Sequence, residues 1–371
     1  MPASRFRNVK APILHLLALV AIATSTASTA RAIRFDDIRV ESAADDTLDD
    51  GACTLREAIL SANQVPANDD CESGSPAFVD TIVFAIGSGP RTIAPLTPLP
   101  EITGATILEG ASQPGFQGSP LITLDGRLVL GAGDGLVFRH DDSLVRGLEI
   151  VYFPGDGVRI DAVAGEEGVA IGGSDDGEAN HIVANRGAGV RIVAGLDHWV
   201  GKNVFEDNGG LAVDLGPEGP TPNDPLDADD GPNGLQNAPV IQWVLSNARE
   251  TRALVAIDGR PSGYFALSLW ANATCDPSGF GEGTTRLAVS ESLEAGTDGH
   301  AEHVFVIEPP LAPTIQLTAL ATDKSLGSSE FSACVPVSAA TISIPALDGV
   351  GLALLALGLG LVGRSRLNRA R

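Results

Sequence analysis

Between residues 223 and 233 the chain crowds Asn223, Asp224, Asp227, Asp229, Asp230 and Asn233 into eleven positions. Carboxylate and amide oxygens at this density are what a hard divalent cation takes, and calcium accepts six to eight of them. The spacing is not that of an EF-hand, which needs a glycine at the sixth loop position and a glutamate at the twelfth. Asp224, Asp227, Asp229 and Asp230 are therefore candidate calcium ligands, and calcium is the one cofactor the motifs call for. The competing explanation is a solvated turn in which Asp and Asn side chains bond to nearby backbone.

A second set, Asp134, Asp156, Asp161, Arg159 and Arg191, recurs at similar places in a repeating part of the chain. Stacked on one face, these groups would offer carboxylates for acid–base work, or a carboxylate–arginine set for a lyase. Against that, Asp134, Asp156 and their neighbours are what turns use anyway, and an outward Arg between inward apolar residues is ordinary on a strand. No paired aspartates stand beside a Gly-His-Gly, so no catalytic residue is assigned.

Four cysteines, Cys53, Cys71, Cys275 and Cys334, include no Cys-x-x-Cys pair, and zinc ligands are usually locally paired. In an exported chain they read as disulfides, with three connectivities open. Pairing Cys53 with Cys71 and Cys275 with Cys334 is favoured, because each bridge then closes within one proposed domain. Among the six histidines only His300 and His303 approach a metal spacing, and on a strand they point to opposite faces. Asn272-Ala273-Thr274 is a glycosylation sequon in form.

The elements that must position these groups come from a repeat. Gly-Leu-Val-Phe at 135–138, Gly-Val-Arg-Ile at 157–160 and 189–192, and Gly-Leu-Ala-Val at 210–213 recur at intervals of 22, 32 and 21 residues. A second set of apolar runs lies between them. Short strands at a fixed period mark a solenoid, in which each turn buries its neighbour and none is stable alone. Val137, Val158, Ile160, Val190 and Ile192 are the expected inward residues, and glycines are expected at left-handed corners. Residues 53–64 form the one amphipathic helix: Leu55, Ala58, Ile59 and Ala62 share a face, and Thr54 with Glu57 makes a capping box. Laid over the first turn, that helix would block edge pairing. Residues 217–237, rich in Pro, Asp, Asn and Gly, read as a linker. Residues 238–338 alternate like the strands of a small sandwich, with turns at Asp258-Gly259 and Asp298-Gly299.

The two ends read as addresses. Arg5, Arg7 and Lys10, an apolar run, and Ala30-Arg31-Ala32 make residues 1–32 a secretory signal. Residues 349–363 carry no charge and are followed by Arg364, Arg366, Arg369 and Arg371. That stretch is a candidate transmembrane or anchoring segment, short for a bilayer core of about 30 Å, and it makes the membrane a candidate partner. Four of the 24 basic residues lie in the signal and four in this tail, while all but one of the 47 acidic residues lie between. The body, with a net charge near −30, repels nucleic acid and anionic lipid and suits solubility outside the cell.

The helix Cys53-Thr54-Leu55-Arg56-Glu57-Ala58-Ile59 resembles the motif of the bacterial CSLREA-domain proteins, with Thr at the second position. Asp80-Thr81-Ile82-Val83-Phe84, Leu99-Pro100-Glu101-Ile102-Thr103, residues 209–216, Cys275-Asp276-Pro277-Ser278-Gly279 and Ser329-Glu330-Phe331-Ser332-Ala333-Cys334 are similar to later parts of that pattern. The tail around Ile344-Pro345-Ala346-Leu347 is similar to the PEP-CTERM and IPTL-CTERM sorting signals, with Ala in the third position and no following tryptophan. The resemblance implies a right-handed parallel β-helix on the surface of a bacterium, and no established activity.

The expectation is an all-β chain: a right-handed parallel β-helix with an N-terminal capping helix over 33–216, the 217–237 linker, a small antiparallel β-sandwich over 238–338, and a sorting or anchor segment over 339–371. The expected function is that of an exported structural or adhesion protein at the cell surface, outer membrane or outside the cell, with a polysaccharide or matrix partner. The alternative is a pectinase-like polysaccharide lyase or hydrolase on the solenoid face.

Overall fold

The computed structural model describes residues 37–64, 71–75, 78–162, 168–173 and 175–338. The segments expected to be a secretory signal (1–32) and a sorting tail (339–371) lie outside them. The described chain is almost all β, with three parallel sheets, two antiparallel sheets and one α-helix.

The chain visits the three parallel sheets in rotation. Thr106–Glu109 lies in the first, Ile122–Asp125 in the second and Leu136–Phe138 in the third, and the cycle then repeats three times to Val213–Leu215. The recurring tetrapeptides fall into register as the period requires. Leu136, Val158, Val190 and Val213 align across the third sheet, and so do Phe138, Ile160, Ile192 and Leu215. All eight are buried. Each such side chain contributes about 1.5–3 kcal/mol by leaving water, so alignment makes the stack cooperative along its length. Of the expected inward residues, Val137 alone is half-buried, because the strand alternation turns it to the outer face.

The expected left-handed glycines occur at Gly147, Gly172, Gly195 and Gly216, while the glycines that open the repeated tetrapeptides have another role. Gly157 has no left-handed φ; a Cβ there would meet Ile182 Cγ2 at 2.5 Å and the Gly189 carbonyl oxygen at 2.8 Å. Glycine is needed because successive circuits approach closely. Left-handed backbone occurs at Gly147 and Gly172 at one corner, but at Tyr152, Ala184 and Asp207 at another. Buried asparagines beside that second corner hold it: Asn185 accepts from the Phe153 N–H at 3.0 Å and donates to the Ile150 carbonyl at 3.1 Å and to Asn208 Oδ1 at 3.0 Å. Asn180 and Asn203 form a second ladder of the same kind. The fixed amide bonds offset the strain of non-glycine residues at positive φ.

The helix Leu55–Ala62 packs against the first strands of the first sheet. Its cap is the expected box: the Glu57 N–H donates to Thr54 Oγ1 at 3.2 Å, and the Thr54 N–H donates to Glu57 Oε2 at 2.9 Å. Leu55, Ala58, Ile59 and Ala62 are all buried. Cys53 is bonded to Cys71, and Cys275 to Cys334, the favoured connectivity.

Beyond residue 238 the strands run antiparallel. Val240–Ser246, Thr251–Asp258 and His300–Ile307 make one sheet; Thr285–Glu294, Tyr264–Asn272, Gln316–Asp323 and Gly327–Phe331 make the other, with Val335–Pro336 added beside Gln316–Asp323. Ile241, Val255 and Ile257 from the first share a core with Phe265, Leu267, Leu269 and Ala319 from the second. This part meets the last circuit of the parallel sheets through Phe331, whose ring packs edge-on against Phe205 at 6.1 Å and Trp270 at 5.6 Å.

The transmembrane expectation is corrected. Among the described residues no helix is long and apolar enough to cross a membrane; the apolar stretch 349–363 lies outside them. The sequon is closed as well: Asn272 is buried and its amide donates to Thr318 Oγ1 at 3.0 Å.

Candidate metal centre and an arginine-lined groove

Pro, Asp and Gly between residues 217 and 237 leave the loop no regular ladder, so its backbone groups are satisfied by Asx side chains. Asn237 organises it. Its N–H donates to Asp227 Oδ1 at 2.7 Å, and its amide donates to the Asp224 carbonyl at 2.8 Å and the Asp258 carbonyl at 2.6 Å. The Asp224 N–H donates back to Asn237 Oδ1 at 2.9 Å, and the Asp224 carboxylate accepts from the Ala228 N–H. Leu226 and Asp227 take left-handed φ of 63° and 54° to make the bend.

The result brings three of the four expected ligands together. Carboxylate oxygens of Asp224, Asp227 and Asp229 lie within 4.8 Å of one another. Asp227 is buried, and Oδ2 of Asp227 and Oδ1 of Asp229 are both shielded from solvent with no hydrogen-bond partner. Burial pushes the Asp227 carboxyl up to about 6, helped by the carboxylates of Asp229, Asp224 and Asp323. Asp229 is raised too, first by burial and then by Asp224 and Asp230. Unpaired buried carboxylate oxygens cost several kcal/mol unless a cation or proton meets them. A calcium ion supplies that charge and takes six to eight oxygens.

Asp230 is exposed and stands outside the cluster. Asn223 is committed elsewhere, with its side chain bonded in both directions to the Ala238 backbone. Asn233 is fully buried at the junction, where its amide donates to the carbonyls of His198 and Ser328 and its Oδ1 accepts from the His198 N–H. Both asparagines are structural.

The second candidate set is divided. Asp134, Asp156, Arg159 and Arg191 line one open groove of about 500 Å³ on the third parallel sheet, joined by Arg186 and Glu218. Asp161 is paired with Arg139 and is absent from the groove lining. Arg191 bridges Asp156 Oδ2 and Asp214 Oδ2, both at 2.9 Å, and the other Asp156 oxygen caps the Ala188 N–H at 2.8 Å. Asp134 Oδ1 accepts from the Asp156 N–H at 2.7 Å, and burial raises its carboxyl. Asp214 is fully buried; burial pushes its carboxyl up to about 6 although Arg191 opposes this. These carboxylates are mostly held by the fold's own donors.

His300 Nδ1 faces Asp258 Oδ1 at 2.6 Å, while His303 meets the Phe305 ring edge-on at 4.6 Å. They share no ligand set. Sequence reasoning missed Asp214, Glu330 and Glu282, all buried where the parallel and antiparallel parts meet. Their one signal is position, since each is an acid inside or beside a strand whose neighbours are apolar or small.

No protein-family model matches the chain, and a comparison with curated proteins finds no match either.

Proposed function

We propose that this chain is an exported, non-enzymatic surface protein of the structural or adhesive kind, and that calcium rigidifies it. In this reading the three parallel sheets are the faces of a right-handed parallel β-helix. The helix Leu55–Ala62 caps one end, and the antiparallel sheets form a sandwich closing the other. The loop 217–237 connects the two parts and holds the ion through Asp224, Asp227 and Asp229. The observation that carries the reading is the pair of buried, unpartnered oxygens on Asp227 and Asp229 within a three-carboxylate cluster. A bound ion that ties together a loop between two β parts stiffens that loop.

Limited proteolysis tests it. Calcium is expected to protect the 217–237 loop from cleavage, and chelation to expose it. Equal cleavage rates in calcium and in EDTA would count against the reading.

One observation favours the polysaccharide-active alternative: the groove does gather carboxylates and arginines on one face. Two carboxylates there are nevertheless engaged, with both oxygens of Asp156 bonded and Asp214 fully buried and paired with Arg191. That leaves Asp134, with one oxygen on the Asp156 N–H, and the exposed Glu218. A working acid–base pair needs two carboxyls free to face a sugar. Incubation with uronate polymers decides between them: new reducing ends or unsaturated products would replace the scaffold reading with an enzyme.

A further inference from the structure

The groove on the third parallel sheet has a composition unlike the rest of this acidic body. Arg159 and Arg191 align on adjacent strands in register, and Arg186 rises beside them. Their states differ. Arg191 is neutralised between Asp156 and Asp214. The nearest carboxylate to Arg159 is Asp156, at 3.9 Å, beyond hydrogen-bonding distance. Arg186 is exposed, and among the described residues no carboxylate lies within 4 Å of it. Two guanidinium forks are thus available on one wall.

The floor between them is formed partly by Gly155, Gly187 and Gly216. Asp134 and Glu218 add acceptors. The groove therefore presents two donors suited to a carboxylate and two acceptors suited to hydroxyl groups. Guanidinium binds carboxylate through two parallel N–H bonds, a geometry a point charge does not reproduce.

We propose that this groove binds an acidic sugar: the carboxylate of a uronic acid unit sits on Arg159 and Arg186, and its hydroxyls donate to Asp134 and Glu218. The site is independent of the acidic loop, so it stands or falls apart from the calcium reading. Binding, not turnover, is the role assigned, because the groove's carboxylates mostly serve the fold.

The test is titration of the purified full chain with a galacturonate trimer, in EDTA so that no divalent ion bridges sugar to acidic surface. The neutral galactose trimer is the control. Binding of the acidic trimer is expected, with a loss of about tenfold for each of Arg159→Ala and Arg186→Ala. Arg252→Ala, an exposed arginine paired with Glu250 on an antiparallel sheet, is expected to bind as the parent does. Thermal unfolding of each variant separates lost binding from lost fold, and Arg186→Lys repeats the test with charge kept and the fork removed. No binding, equal binding of the neutral trimer, or unchanged affinity in folded Arg159→Ala and Arg186→Ala would overturn the proposal.

Discussion

The carboxylates of Asp227 and Asp229 approach each other within 4.8 Å, and each keeps one buried oxygen without a hydrogen-bond partner. The surrounding loop has amide donors at hand, since Asn237 alone donates three bonds there. Yet none reaches these two atoms. Glu57, Asp141, Asp214 and Glu282 also keep a buried oxygen unmet, but Asp227 and Asp229 do so inside a three-carboxylate cluster, which is the basis of the calcium proposal.

Glu282 gives the protein a pH dependence separate from that loop. Burial, followed by the charges of Asp276, Asp207 and Glu206, pushes its carboxyl up to about 7. A carboxyl raised in the folded state holds its proton there after the unfolded chain has lost it. The folded state then binds more protons than the unfolded one between about pH 4.3 and 7. Its contribution to stability is full below that window and lost as pH rises through it, an effect on the order of 3–4 kcal/mol. Urea unfolding is expected to show Glu282→Gln more stable than the parent at pH 8 and close to it at pH 4.5. A variant with the parent's full pH slope would remove Glu282 as the cause.

Asn233 ties the linker to both β parts. Its side chain makes three buried hydrogen bonds, to His198 in both directions and to the Ser328 carbonyl. Asn233→Ala removes this partner from the His198 N–H and the Ser328 carbonyl, while the His198 carbonyl keeps the Ser328 N–H at 3.0 Å, at a cost of about 2 kcal/mol or more. The residue also sits at φ 49°, where asparagine is better tolerated than alanine. A lowered urea midpoint for Asn233→Ala is the expected result, and a shift under about 0.5 kcal/mol would contradict this role.

The two disulfides differ in reach. Cys275 and Cys334 are separated by 59 residues, and Cys53 and Cys71 by 18. Loop-closure entropy then assigns the long bridge about 4 kcal/mol and the short one about 3. The Cys275→Ala/Cys334→Ala double variant is expected to lower the thermal midpoint more than Cys53→Ala/Cys71→Ala does, and the reverse order would show that the local setting of the cap outweighs chain entropy.

Much of the parallel part was legible because its signal is periodic. Gly-Val-Arg-Ile recurring at 157–160 and 189–192, across the one long interval of the repeat, places Val158 over Val190 and Ile160 over Ile192 by identity of sequence alone. The helix was legible because Thr54 and Glu57 form a local box. The asparagine ladders were hidden, since Asn180, Asn185, Asn203 and Asn208 read as turn residues until the circuits bring them into line 23 residues apart. The close-packing role of the tetrapeptide glycines was hidden for the same reason: close approach is a property of two circuits, while a left-handed corner, as at Gly147 and Gly172, is a property of one residue. In the acidic loop, composition pointed to oxygen ligands but could not choose among them. Asp227 and Asp229 converge because Asn237 folds back onto Asp224 and Asp227, a contact ten or more residues away. Strand Thr285–Glu294, mostly exposed or half-buried, gave no clear alternation to read.

The central claim is that the loop holds calcium through Asp227 and its neighbours, and isothermal calorimetry with calcium reads it directly. The parent chain is expected to bind one ion with measurable heat and to gain thermal stability from it, while Asp227→Ala and Asp229→Ala each lose the heat and the gain. No heat and no thermal shift in the parent, or heat that both variants retain, would contradict the account.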